Sequence, residues 1–142
     1  MANVFDVATY ILELKGPMTA MKLQKLVYYS QAWALVWNDK PLFSEEIQAW
    51  ANGPVVPDLY QLHKGQLHVV SLSEGSSTNL DDKEKETINT VINYYGDKTS
   101  HWLSELTHKE QPWIVARNGC LAGEFCANEI TQASMAEYYG SL

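Results

Sequence analysis

The stretch from Thr19 to about Asn38 constrains the fold more than any other part of the chain. Leu23, Leu26, Val27, Tyr28, Tyr29, Ala32, Trp33, Ala34, Leu35, Val36 and Trp37 recur too densely for a single stripe, so a helix made from them is apolar on nearly every side. A helix of that kind is stable in water only when other elements wrap it. Gly16-Pro17 breaks the chain before it, Asn38-Asp39-Lys40-Pro41 turns the chain after it, and the Thr19 hydroxyl can cap its first turn. The expected fold is therefore mainly α: one compact helical domain over residues 1–142 around this central helix, with at most a small two- or three-stranded β element. A chain of 142 residues buries roughly two-thirds of its unfolded surface and needs neither metal nor disulfide to fold.

The rest of the chain supplies the wrapping. Val4, Val7, Ala8, Ile11 and Leu12 form one face of an amphipathic helix that ends near Lys15-Gly16. Leu42-Phe43 and Ile47–Trp50 have the composition of two short strands, Asn52-Gly53-Pro54 reads as a turn, and Pro57 sits at the first turn of a short helix to His63. Residues 68–80 are rich in Ser, Gly and Thr and read as a mobile loop. Asp81-Asp82 opens a helix striped by Ile88, Val91, Ile92 and Tyr95 that stops at Gly96-Asp97. Ser100 starts another, carrying Trp102, Leu103 and Leu106 to about Lys109. Pro112 starts a short one that places Arg117 in its last turn. Residues 120–128 read as irregular, and Ile130, Met135, Tyr138 and Tyr139 as a C-terminal helix closed by Gly140.

Charge narrows the function classes. The net charge is −7, Arg117 is the single arginine, and the densest basic cluster is only Lys22 and Lys25. A phosphate-backbone binder shows a basic face or stripe, so direct nucleic-acid binding is not expected; an acidic chain is instead steered toward a basic partner. The longest apolar run, Ala32–Trp37, is too short to span a membrane, and the first residues lack the basic start and apolar core of a signal segment. A cytoplasmic location follows as the expectation, with Cys120 and Cys126 reduced.

Catalytic and metal signatures do not emerge. Cys120 and Cys126 are too widely spaced for a tight zinc pair, and His63/His68 and His101/His108 do not complete one, so no cofactor is expected; the four histidines and two cysteines are the ligand candidates should a metal be present. Thr107 and His108 are adjacent on a helix and point about 100° apart, which does not make a nucleophile–base pair. Neither a nucleophile elbow nor a glycine-rich phosphate cradle occurs. The segment from Gln48 to Tyr60 is more informative. It combines a Trp, a fixed turn and two prolines, Gly53 permits a sharp backbone path, and Pro54 holds Gly53 out of the helical region. A rigid corner flanked by aromatic rings loses little entropy when it binds. Gln48, Trp50, Gly53, Pro54, Val55, Asp58 and Tyr60 are its candidate partner-binding residues, with Val55 and Tyr60 expected to be exposed, against the alternative that the corner only braces the central helix.

Three ordered blocks carry a resemblance: Met21–Trp33, Glu46–Pro57, and Thr107-His108 with Pro112-Trp113 and Arg117. Together they resemble the Panacea domain, the SocA-like or GepA-like family common in phages and bacterial mobile elements, over about Val4 to Tyr139. The resemblance implies an antitoxin that neutralises a cognate protein toxin by direct binding, the toxin being encoded by the adjacent gene. It also implies an alternative, an adaptor that delivers a toxin to a cytosolic ATP-dependent protease; a phage-encoded inhibitor of a host factor is a further reading. Some members carry an added DNA-binding region, for which this chain has no room. A metal-dependent hydrolase is the reading from a different class.

Overall fold

The computed structural model describes residues 2–142. Seven helices dominate those residues: α1 (Val4–Lys15), α2 (Ala20–Asn38), α3 (Pro57–His63), α4 (Asp82–Tyr95), α5 (Ser100–His108), α6 (Gln111–Ala116) and α7 (Gln132–Gly140). Five short strands accompany them: β1 (Met18–Thr19), β2 (Ile47–Trp50), β3 (Gly53–Val55), β4 (His68–Val69) and β5 (Glu129–Ile130). The fold is mainly α with two small antiparallel sheets, one of order β3-β2-β5 and one pairing β1 with β4.

Helix α2 occupies the centre. Its Thr19 cap accepts the Lys22 amide, and its sides pack on α1, α4, α5, α7 and β3. Leu23, Leu26, Val27, Tyr29 and Ala32 have no exposed surface. Four polar residues of the same helix, Gln24, Lys25, Ser30 and Gln31, are buried with them. Gln31 explains one departure from expectation. Leu42-Phe43 is not a strand; its backbone is satisfied by the Gln31 side chain, which accepts from the Leu42 amide at 2.7 Å and donates to the Phe43 carbonyl at 2.8 Å. A side-chain amide replaces a strand partner, so both apolar side chains can be buried without a sheet.

Residues 68–80 contain strand β4 and a 3₁₀ turn at Ser77–Asn79. Asp6 holds that turn against α1. Its Oδ2 closes a capping box with the Asn3 amide, and its Oδ1 accepts from the Ser76 amide at 2.8 Å and the Asn79 side chain at 3.1 Å. Ile130 belongs to β5, not to the last helix, because its neighbours pair with β2 in the register Ile47↔Ile130 and Gln48↔Glu129. Cys120 and Cys126 form a disulfide, against the expectation of two reduced thiols. The Arg117 guanidinium donates to the carbonyls of Leu121 and Glu124, which turns the loop back and brings the two cysteine Cα atoms to 6.0 Å. No helix among the described residues is long and apolar enough to cross a membrane.

Candidate functional site

The corner after Ile47 is a hairpin. Strands β2 and β3 pair as Gln48↔Val55, Ala49↔Pro54 and Trp50↔Gly53, so the turn lies at Ala51-Asn52, one residue earlier than the sequence suggests. Pro54 is tolerated in β3 because that strand lies at the sheet edge, where a missing N–H costs no ladder bond. Gly53 has φ +121°, and a Cβ there would lie 2.5 Å from Lys25 Cε and 3.0 Å from Thr107 Oγ1. The position demands glycine on both conformational and steric grounds.

Two neighbouring side chains of α2 hold the hairpin from behind. The Gln24 amide accepts from the Val56 N–H at 2.9 Å, donates to the Val56 carbonyl at 3.3 Å and meets His63 Nε2 at 2.9 Å. The fully buried Lys25 donates from Nζ to the Pro54 carbonyl at 3.2 Å. Among the described residues no carboxylate pairs with it, and burial pushes its pKa down to about 7. Burial also lowers the pKa of His63 and of His108.

The α5–α6 segment clamps the opposite side. His108 stacks on Trp113 with ring centroids 4.2 Å apart, Trp113 Nε1 donates to the Trp50 carbonyl at 2.9 Å, and Arg117 Nη1 donates to the Ala49 carbonyl at 2.8 Å. The Arg117 guanidinium also lies over the Trp113 ring at 5.2 Å. These contacts use side chains to fix the backbone of β2. Thr107 Oγ1, beside His108 in sequence, donates to the Ser104 carbonyl of its own helix at 2.7 Å. No group of three His, Cys, Asp or Glu among the described residues is placed to hold a metal ion.

On the front of the hairpin the rings face outward. Gln48 Oε1 accepts from the Trp50 indole at 2.8 Å and so sets its tilt. Trp50 meets Tyr60 edge-on at 5.1 Å and Phe125 at 5.4 Å, and Tyr60 in turn meets His63 at 5.4 Å. They wall a groove of about 520 Å³ whose floor includes Met21 and Gln24.

Of the seven candidate residues, Trp50, Val55 and Tyr60 line this groove. Val55 was expected to be exposed and is only 4% so, while Gly53 and Pro54 are buried; these three shape the corner and offer little surface of their own. Gln48 is half-buried and works through Trp50, and Asp58 is exposed outside the groove lining. Sequence reasoning missed Met21, His63, Leu67 and Phe125. Met21 lies in the first resemblance block; Phe125 lies in a stretch without periodicity, and nothing local marks it.

A family model described as antitoxin SocA-like, Panacea domain, matches residues 23–114, well over half of the chain. The chain belongs to the SocA-like Panacea family. Searches of curated proteins and of solved structures returned no match. The matched span is narrower than the Val4–Tyr139 resemblance, running from within α2 through most of α6 and leaving α1, α7 and the disulfide loop outside. The groove therefore has a mixed origin: Gln24, Trp50, Val55, Tyr60 and His63 come from the Panacea match, whereas Ala20, Met21 and Phe125 lie outside it.

Proposed function

We propose that this protein is an antitoxin that neutralises a cognate protein toxin by direct binding, with the groove at the β2–β3 corner as the contact surface. Membership of an antitoxin family supports the role. The observation that carries the site is the outward aromatic wall of Trp50, Tyr60 and Phe125 on a hairpin locked from behind by Gln24, Lys25, Trp113 and Arg117. Interface hot spots are enriched in such anchored rings, and a preformed backbone minimises the entropy lost on binding. Phe125 and Leu67 are 67% and 77% exposed at the groove, so apolar area is available to be covered. Phe125, outside the family match, is the residue best placed to discriminate one toxin from another. The role is non-catalytic, and the partner is encoded by the adjacent gene.

Co-expression with the product of that gene tests the proposal. Growth should be rescued, the two proteins should co-purify, and the amount of toxin in the cell should not fall. A falling toxin level that depends on an ATP-dependent protease replaces masking with the adaptor reading. Neither rescue nor complex formation removes the antitoxin role and leaves inhibition of a host factor as the alternative.

A further inference from the structure

A second pocket, of about 480 Å³, opens where α2, α4 and α5 meet the C-terminus. Its walls are aromatic: Trp33, Trp37, Tyr94, Tyr95 and Trp102. Trp33 stacks on Trp37 at 5.2 Å, Tyr94 meets Tyr95 edge-on at 4.7 Å, and the Trp33 indole donates to the Tyr95 hydroxyl at 3.0 Å. Trp33, Trp37, Tyr94 and Tyr95 are thus fixed relative to one another. One carboxylate, that of Glu110, also lines the pocket; it is only 7% exposed. Its Oε1 accepts from the hydroxyls of Tyr29 and Tyr139, each at 2.7 Å, whereas Oε2 accepts from no donor among the described residues.

Ring faces carry negative potential, and the Glu110 carboxylate beside them, whose pKa burial pushes up while the Tyr29 and Tyr139 hydroxyls draw it down, adds a free acceptor and, when ionised, a formal charge. That combination favours an organic cation over a neutral or anionic group. The chain already uses one of these rings in this way, since the Lys98 ammonium lies 4.9 Å from the Trp102 ring centroid. Around the pocket mouth Trp37, Tyr94, Trp102 and Leu142 are 48%, 67%, 40% and 73% exposed. A free small cation would leave that apolar rim in water, while a side chain carried on a protein surface would cover it. The net charge of −7 acts in the same direction by steering basic partners toward the protein.

We infer that this pocket is a docking site for a cationic side chain, arginine or lysine, presented by a protein partner and flanked there by apolar residues. The inference stands on the pocket alone and does not depend on the corner groove. Its test needs no toxin: tryptophan fluorescence and NMR titration of the full chain with N-acetylarginine amide, N-acetylcitrulline amide and the blocked tripeptide Leu-Arg-Leu. Arginine amide should bind about tenfold more tightly than its uncharged citrulline analogue, and the tripeptide about tenfold more tightly again. Glu110→Gln should abolish the charge preference. Because that substitution touches a buried cluster, Tyr94→Ala, at an exposed position, is the companion; it should weaken tripeptide binding several-fold with an unchanged melting temperature. Equal affinity for arginine and citrulline amides, or no saturable binding of either cationic probe, overturns the inference. Arginine amide binding as tightly as the tripeptide overturns the protein-borne occupant in favour of a free small cation.

Discussion

Lys25 shows what a single residue contributes. Lys25, which the sequence marks only as half of a small basic cluster with Lys22, is completely buried and supports the Pro54 carbonyl. Its burial was not legible because helical periodicity reports which positions face a core, and α2 has core on almost all sides. The energetic consequence has a definite sign. The unfolded lysine titrates near 10.5 and the folded one at about 7, so between those values the unfolded chain binds the extra proton. This group therefore makes stability rise with pH across that window, by up to about 1.4 kcal/mol per pH unit, and its contribution is least favourable below pH ~7. Urea unfolding of wild type and Lys25→Met should show the variant's relative stability falling between pH 7 and pH 10; parallel profiles would mean that Lys25 is solvated. Gly53, by contrast, was legible, since a glycine before a proline at a corner announces an unusual backbone. Gly53→Ala forces a Cβ against Lys25 at φ +121°, and chemical denaturation should report a loss of about 1–3 kcal/mol.

At the scale of elements, local chemistry was the most readable signal. The Thr19 cap, Pro57 at the start of α3 and the acidic opening of α4 all stand where sequence reasoning places them. Long-range pairing was not readable. Strand β5 has two residues and exists because β2 offers an edge, while Leu42-Phe43 looks like a strand and is held by Gln31 instead. Phe125 joins the groove through its edge-on contact with Trp50, a residue far away in sequence, so no short window contains the pairing. Two predictions belong here. Leu26, fully buried in α2, should cost about 2–5 kcal/mol when changed to Ala, read from urea unfolding. Asp6→Ala leaves the Ser76 amide and the Asn79 side chain without their acceptor, so the variant should lose about 1–3 kcal/mol, and hydrogen exchange should rise selectively near Ser76.

Across the whole molecule, the central helix connects the two surfaces that matter. Gln24 and Lys25 brace the corner groove, and farther along α2 Trp33 and Trp37 form one wall of the cation pocket. The Panacea match covers the braced hairpin and stops before Phe125, which completes the aromatic wall from outside the matched span. Calorimetric titration of the purified product of the adjacent gene, the proposed toxin, into wild type, Tyr60→Ala and Phe125→Ala tests that arrangement most directly, with melting curves recorded for each protein. Wild type should form a complex, and each substitution should weaken it by about 2 kcal/mol or more, roughly thirtyfold in affinity, while the melting curve of the Phe125 variant stays in place. Full affinity in both variants with folding intact, or no complex with wild type at all, would contradict it.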